Sequence, residues 1–60
     1  MYKVVGWVVV INGELPLSKN GKVILFSSYN RGLTKRDYMD TCEPVTQLGL
    51  EIHQRIVNND

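Results

Sequence analysis

The sequence predicts an α+β fold: an antiparallel β-hairpin or three-stranded sheet followed by one kinked or two short C-terminal helices packed on one face. Three observations carry this reading. Residues 2–11 form a run of Val and Ile interrupted only by Gly6 and Trp7 after the first two positions; Asn-Gly pairs stand at Asn12-Gly13 and Asn20-Gly21; and apolar residues of the second half recur at helical spacing.

Residues 2–11 are the most strongly β-forming stretch of the chain. Alternate residues of a strand point to opposite sides, so Val4, Gly6, Val8 and Val10 share one face while Val5, Trp7, Val9 and Ile11 share the other. Both faces are apolar, as in strands covered on both sides, and this strand is therefore expected to need two covers. Asn12-Gly13 signals a reversal, since a type I′ turn requires positive φ at both central residues. Pro16 cannot donate to a ladder and confines residues 14–17 to a short irregular edge strand or a wide loop. Asn20-Gly21 offers a second turn of the same chemistry. Lys22–Ser28 then reads as the second full strand, paired with the first, with Val23 and Leu25 on one face and Ile24 and Phe26 on the other.

Ser27–Gly32 is polar and glycine-bearing, which fits a link between sheet and helix. Thr34 is expected as an N-cap, with Asp37 reaching back to it and Leu33 and Tyr38 forming a hydrophobic staple. From there Tyr38, Cys42, Val45, Leu48 or Gly49, Ile52 and Ile56 describe one helical face. Pro44 interrupts it and pushes Glu43 out of helical angles. The expectation is a short helix over Lys35–Thr41, a break, and a longer helix over Pro44–Asn58. A strand over residues 48–57 is the competing reading, and helix is preferred because Gln47, Leu48, Leu50, Glu51, Gln54 and Arg55 favour it. The whole is one domain, 1–60, with a sheet part over 1–28 and a helical part over 33–59.

A chain of 60 residues buries only about 60% of the surface its unfolded form exposes. Small domains compensate with disulfides, metals or association. Cys42 is the single cysteine, so no intrachain disulfide forms, and Cys42 with His53 supplies two soft ligands where structural zinc takes four. No metal or other cofactor is expected. Association remains, and a homo-oligomer, with a dimer favoured, is expected. If the helix takes the opposite face, the partner surface is Val5, Trp7, Val9, Ile24 and Phe26; Trp7 serves equally well as a central core residue. The net charge of +1 argues against a DNA mimic and against binding by bulk charge. The apolar run is about half the ~20 residues of a spanning helix, and the start lacks the pattern of a secretory signal. The expected location is cytoplasmic, the host cytoplasm if the protein is viral.

Candidate chemistry is sparse. Cys42 and His53 are the one possible nucleophile and base, but on one continuous helix they stand about 16 Å apart. A small thiol and a surface imidazole are the ordinary meaning. Asp37, Asp40 and Glu43 step by three and read as a solvated acidic stripe. None of Gly13, Gly21 and Gly32 sits in a phosphate-binding fingerprint. The basic residues make a second interaction surface: Lys19 and Lys22 flank a turn, and Tyr29, Arg31, Lys35 and Arg36 surround the expected helix start, a mixture suited to phosphates and a stacked base.

These readings together describe a protein without catalysis that self-associates and binds, inhibits or modulates a larger protein. A short frame with Met1 and no targeting signal is the usual form of a phage or mobile-element accessory product acting on a host enzyme or defence system. The order of strands, polar Ser-Ser-Tyr turn and helices is similar to that of many short phage accessory proteins, in layout only. The alternative is a small dimeric nucleic-acid-binding regulator working through the basic turn and helix start.

Overall fold

The computed structural model describes residues 3–58; Tyr2, in the expected first strand, and Asn59, at the end of the expected helical part, lie outside them. In chain order the elements are β1 (Val4–Ile11), β2 (Leu15–Pro16), β3 (Ser18–Lys19), β4 (Lys22–Val23), α1 (Tyr29–Leu33), β5 (Thr41–Thr46) and α2 (Gln47–Val57). β1 is the middle strand of a three-stranded antiparallel sheet ordered β2-β1-β5, and β3 pairs with β4 as a separate hairpin. The fold is α+β, as the sequence predicts.

Each Asn-Gly pair closes its own hairpin. Asn12 and Gly13 sit at φ 54° and 70°, and Asn20 and Gly21 at 54° and 80°, the left-handed conformation that Asn tolerates and Gly adopts freely. The Glu14 N–H donates to the Ile11 carbonyl at 3.0 Å, which brings Ile11 opposite Leu15 and Val10 opposite Pro16. The second turn sets Lys19 opposite Lys22.

The segment Lys22–Ser28, expected as a full strand along β1, is corrected. Only Lys22–Val23 is strand, and it pairs with β3. The reason lies in what occupies the edge of β1. The Leu17 N–H donates to Val9 at 2.7 Å, and the Ile24 N–H donates in turn to Leu17 at 3.0 Å. Residues 15–17 thus hold the position next to β1 and displace the following segment outward. Phe26 alone reaches back, exchanging N–H···O bonds of 2.9 and 2.8 Å with Trp7.

The long partner of β1 is β5, where the sequence led us to expect a helix and a break. Gly6 faces Val45, Trp7 faces Pro44, Val8 faces Glu43, Val9 faces Cys42 and Val10 faces Thr41, with Val5 as an extra residue in a bulge between Val4 and Gly6. Thr41, Val45 and Thr46 are β-branched, and Pro44 is excluded from a helix interior, so strand is the better conformation locally. The apparent helical face running from Tyr38 to Ile56 straddles a strand–helix boundary. The sheet and helical parts consequently do not divide at residues 28 and 33.

Capping explains the helix positions. Ser28 is the N-cap of α1, its Oγ accepting from the Arg31 N–H at 3.2 Å. Thr34, expected as an N-cap, is instead the C-cap of this helix, and its Oγ1 donates to the Arg31 carbonyl at 2.7 Å. The expected helix over Lys35–Thr41 is absent; residues 34–40 are turns and irregular chain. Thr46 caps α2, its Oγ1 accepting from the Gly49 N–H at 3.1 Å. Residues 48–57 are helix and the strand alternative is not adopted.

The helices cover opposite faces of the sheet, which corrects the expectation that they share one. Cys42 and Val45 lie on opposite faces of β5. Gly32 of α1 is pressed against the Cys42 Sγ and the Phe26 ring, whereas Gly49 of α2 lies over Val45, where an added Cβ would stand 3.7 Å from that of Val45. Val8, Val10 and Val45 form the core on the α2 side, with Val23 and Leu50 packed against them. Val9 lies on the α1 side; Val8 and Val9 are each 0% exposed. Burying each of these valines fully contributes about 1.5–3 kcal/mol. Gly6 is required by crowding: a Cβ there would meet the Leu25 Cδ1 at 2.6 Å and the Phe26 carbonyl oxygen at 2.8 Å.

Candidate interaction surface

The two covers that β1 needs come from its own chain, and this disperses the expected partner surface. Val9 is fully buried. Trp7 is half-buried between Pro44 on one side and Phe26 on the other, and Phe26 is half-buried against α1. Ile24 is half-buried one layer out from β1, and Val5 is exposed at the bulge. The five residues do not form one open face.

A different apolar surface is open. Leu48, Ile52 and Ile56 of α2 are 65%, 47% and 45% exposed, and their spacing of four sets them in one ridge along the helix. The opposite side of α2 faces the sheet through Leu50, which packs on the core, and Gln54, with His53 and Val57 half-buried. Gln54 fixes this orientation. Its Nε2 donates to the Gly21 carbonyl at 2.6 Å and its Oε1 accepts from the Val23 N–H at 3.0 Å, tying α2 to the β3–β4 hairpin. Ile52 and Ile56 belong by spacing to the helical face traced from Tyr38, yet they lie outward; the seven-residue spacing of Leu50 and Val57, two turns apart, marks the side that faces the sheet.

The basic residues divide between the two sides of the sheet. Lys19 and Lys22 sit on the hairpin that Gln54 holds to α2, while Tyr29 and Arg31 belong to α1 and Lys35 and Arg36 follow it directly. The acids that follow are structural. The buried Asp40 carboxylate accepts from the N–H groups of Asn12 at 3.1 Å and Asp37 at 2.9 Å, joining the first hairpin turn to the segment before β5. Asp37 accepts from the Tyr38 N–H at 2.8 Å and, through its carbonyl, from the Asp40 N–H at 3.1 Å. This turn carries Tyr38 at 91% exposure with Met39 beside it, also exposed. Asp37, Asp40 and Glu43 are therefore not a helical stripe, Glu43 being in β5.

The Cys42 side chain leaves β5 toward α1 while His53 lies on α2 across the sheet, so they make no dyad. The Cys42 Sγ donates to the Tyr29 carbonyl at 3.6 Å. Burial pushes its thiol above the ordinary value; the nearby Arg36 guanidinium pulls it back and Glu43 adds to the rise. The His53 Nδ1 is a buried nitrogen without a hydrogen-bond partner. Among the described residues no three His, Cys, Asp or Glu side chains are placed to hold a metal ion, and no helix is long and apolar enough to cross a membrane. Comparison of the chain with protein-family models, with curated proteins and with solved structures gave no match.

Proposed function

We propose that this chain is a non-catalytic interaction protein whose working surface is the outward ridge of α2, and that through it the protein associates with itself or with a larger protein that it modulates. One observation supports this above the rest. Three large aliphatic side chains stand in a row on a helix whose opposite side is already packed, in a protein with very few buried apolar residues to spare. Exposed apolar patches of this kind are characteristic of contact sites.

The test is a photo-crosslinking residue placed at position 52, with one at the exposed polar position Glu14 as control, activated in a lysate of the source cells. Covalent adducts from position 52 and not from 14 are expected. Absence of adducts from position 52 overturns the reading.

A second reading, nucleic-acid binding, is favoured by one feature. Arg31, Lys35 and Arg36 precede a nearly fully exposed Tyr38 on a turn pinned by Asp40. Contacts of this kind weaken steeply with salt. Retention on single-stranded DNA or RNA at low salt, lost when the three basic residues are changed together to Ala, is expected on this reading; no retention at low salt removes it.

A further inference from the structure

We propose that the ridge of α2 pairs with the same ridge of a second copy of this chain, the two helices running antiparallel about a two-fold axis near Ile52. The inference rests on the interaction reading above and specifies the occupant of the surface. The ridge is symmetric about its centre: a two-fold axis there sets Ile52 against Ile52 and Leu48 against Ile56 of the other copy.

Charge fixes the direction. Glu51 and Arg55 lie one turn apart on the same flank of the ridge, both exposed. In an antiparallel pair equal flanks face each other with their order reversed, so with the axis half a residue past Ile52 each Glu51 stands nearer to the other copy's Arg55 than to its Glu51, twice over. A parallel pair would set this flank against the other one, which carries Gly49 and His53, and would leave both charges unmatched. Among the described residues Glu51 is held only by a 3.3 Å contact from the Gln47 Nε2, a long bond that gives way readily.

Self-pairing through the sheet is disfavoured. Both faces of the sheet are covered, one by each helix, and the outer edge of β5 carries Pro44 in an outward position where it offers no donor. A net charge of +1 sets little repulsion between copies. With 11 residues α2 is about 16 Å long, so the contact is smaller than the ~1,200 Å² of stable complexes and the pair is weak and reversible.

Sedimentation velocity on the full chain, from micromolar to millimolar concentration, tests this with Glu51→Arg, Arg55→Glu and their equimolar mixture. Both residues are exposed, and circular dichroism checks that each variant keeps the fold. The expected result is a concentration-dependent dimer that each reversal weakens roughly tenfold and that the mixture restores. A chain that stays monomeric throughout overturns the self-pairing, while adducts from position 52 with another protein would leave the interaction reading standing. A dimer indifferent to both reversals overturns the antiparallel geometry alone.

Discussion

Pro44 stands opposite Trp7 in the β1–β5 ladder, and Trp7 has turned both its N–H and its C=O to Phe26. In an antiparallel pair the two main-chain groups of a residue point the same way, so Trp7 and Pro44 form a non-hydrogen-bonded pair and the nitrogen of Pro44 faces the outer edge. The proline removes a donor from the part of the sheet most open to another strand. Replacing Pro44 by Val is expected to alter stability by less than about 1 kcal/mol while raising aggregation, read as turbidity and dye binding at matched concentration.

Asp40 joins two distant turns through one buried carboxylate. Hydrogen bonds to a charged acceptor contribute about 1.5–3 kcal/mol each, and the freed Asn12 and Asp37 N–H groups recover part of this from water because both residues are exposed. Asp40→Ala should lower stability by about 2 kcal/mol in urea unfolding. Asp40→Asn should lose less, since its amide oxygen still accepts.

Gly32 is in a helix, where Ala is ordinarily better by about 1 kcal/mol. Here the added methyl runs into the Cys42 Sγ, which cannot rotate away without releasing the Tyr29 carbonyl. Overpacking costs about 1–3 kcal/mol, so Gly32→Ala should destabilise. In a Cys42→Ala background the same change should stabilise, because the obstacle is gone and the helix preference remains. Paired urea titrations give both signs.

The raised Cys42 thiol makes a prediction about alkali. A group whose folded value lies above its unfolded one keeps its proton longer in the folded chain, so its contribution is complete below the ordinary thiol value of 9.0 and is lost as pH rises through the folded value. Stability should therefore fall above pH 9 more steeply in the native chain than in Cys42→Ser. The difference between their urea midpoints isolates the thiol from tyrosines and lysines.

Gln54 is the tie between α2 and the β3–β4 hairpin. Gln54→Ala should cost about 1 kcal/mol and should speed amide exchange at Val23 well beyond that at Val8, as hydrogen-exchange measurements by NMR would show.

What could be read from the sequence were features whose cause is local. The valine run of β1, the two Asn-Gly turns and the helix over residues 47–57 each follow from residue type and spacing within a few positions. The partner of β1 did not, because choosing between Lys22–Ser28 and Thr41–Thr46 depends on Leu17 having already taken the edge beside Val9, a contact between residues eight apart in the chain. The helix caps failed for a related reason: Ser28 and Thr34 are both good capping residues, and only the fit of Gly32 beneath Cys42 and Phe26 selects the earlier start. The interaction surface went with them. Assigning both helices to one face left the sheet as the open surface, whereas one helix on each face leaves the back of α2.

The pairing of β1 with β5 also sets the order of events when the chain is made. The strand at the centre of the sheet is made well before its main partner, since its longest ladder is formed with residues 41–46. Until those residues are available, the most apolar segment lacks its longest neighbour and the α2 cover, and the loop to be closed, residues 12–40, is about half of the chain. Folding is thus expected to be nearly all-or-none and to wait for Thr41–Thr46. Until then the nascent chain carries a Val-rich strand without its main partner, the stage at which a chaperone or a protease would find it most easily.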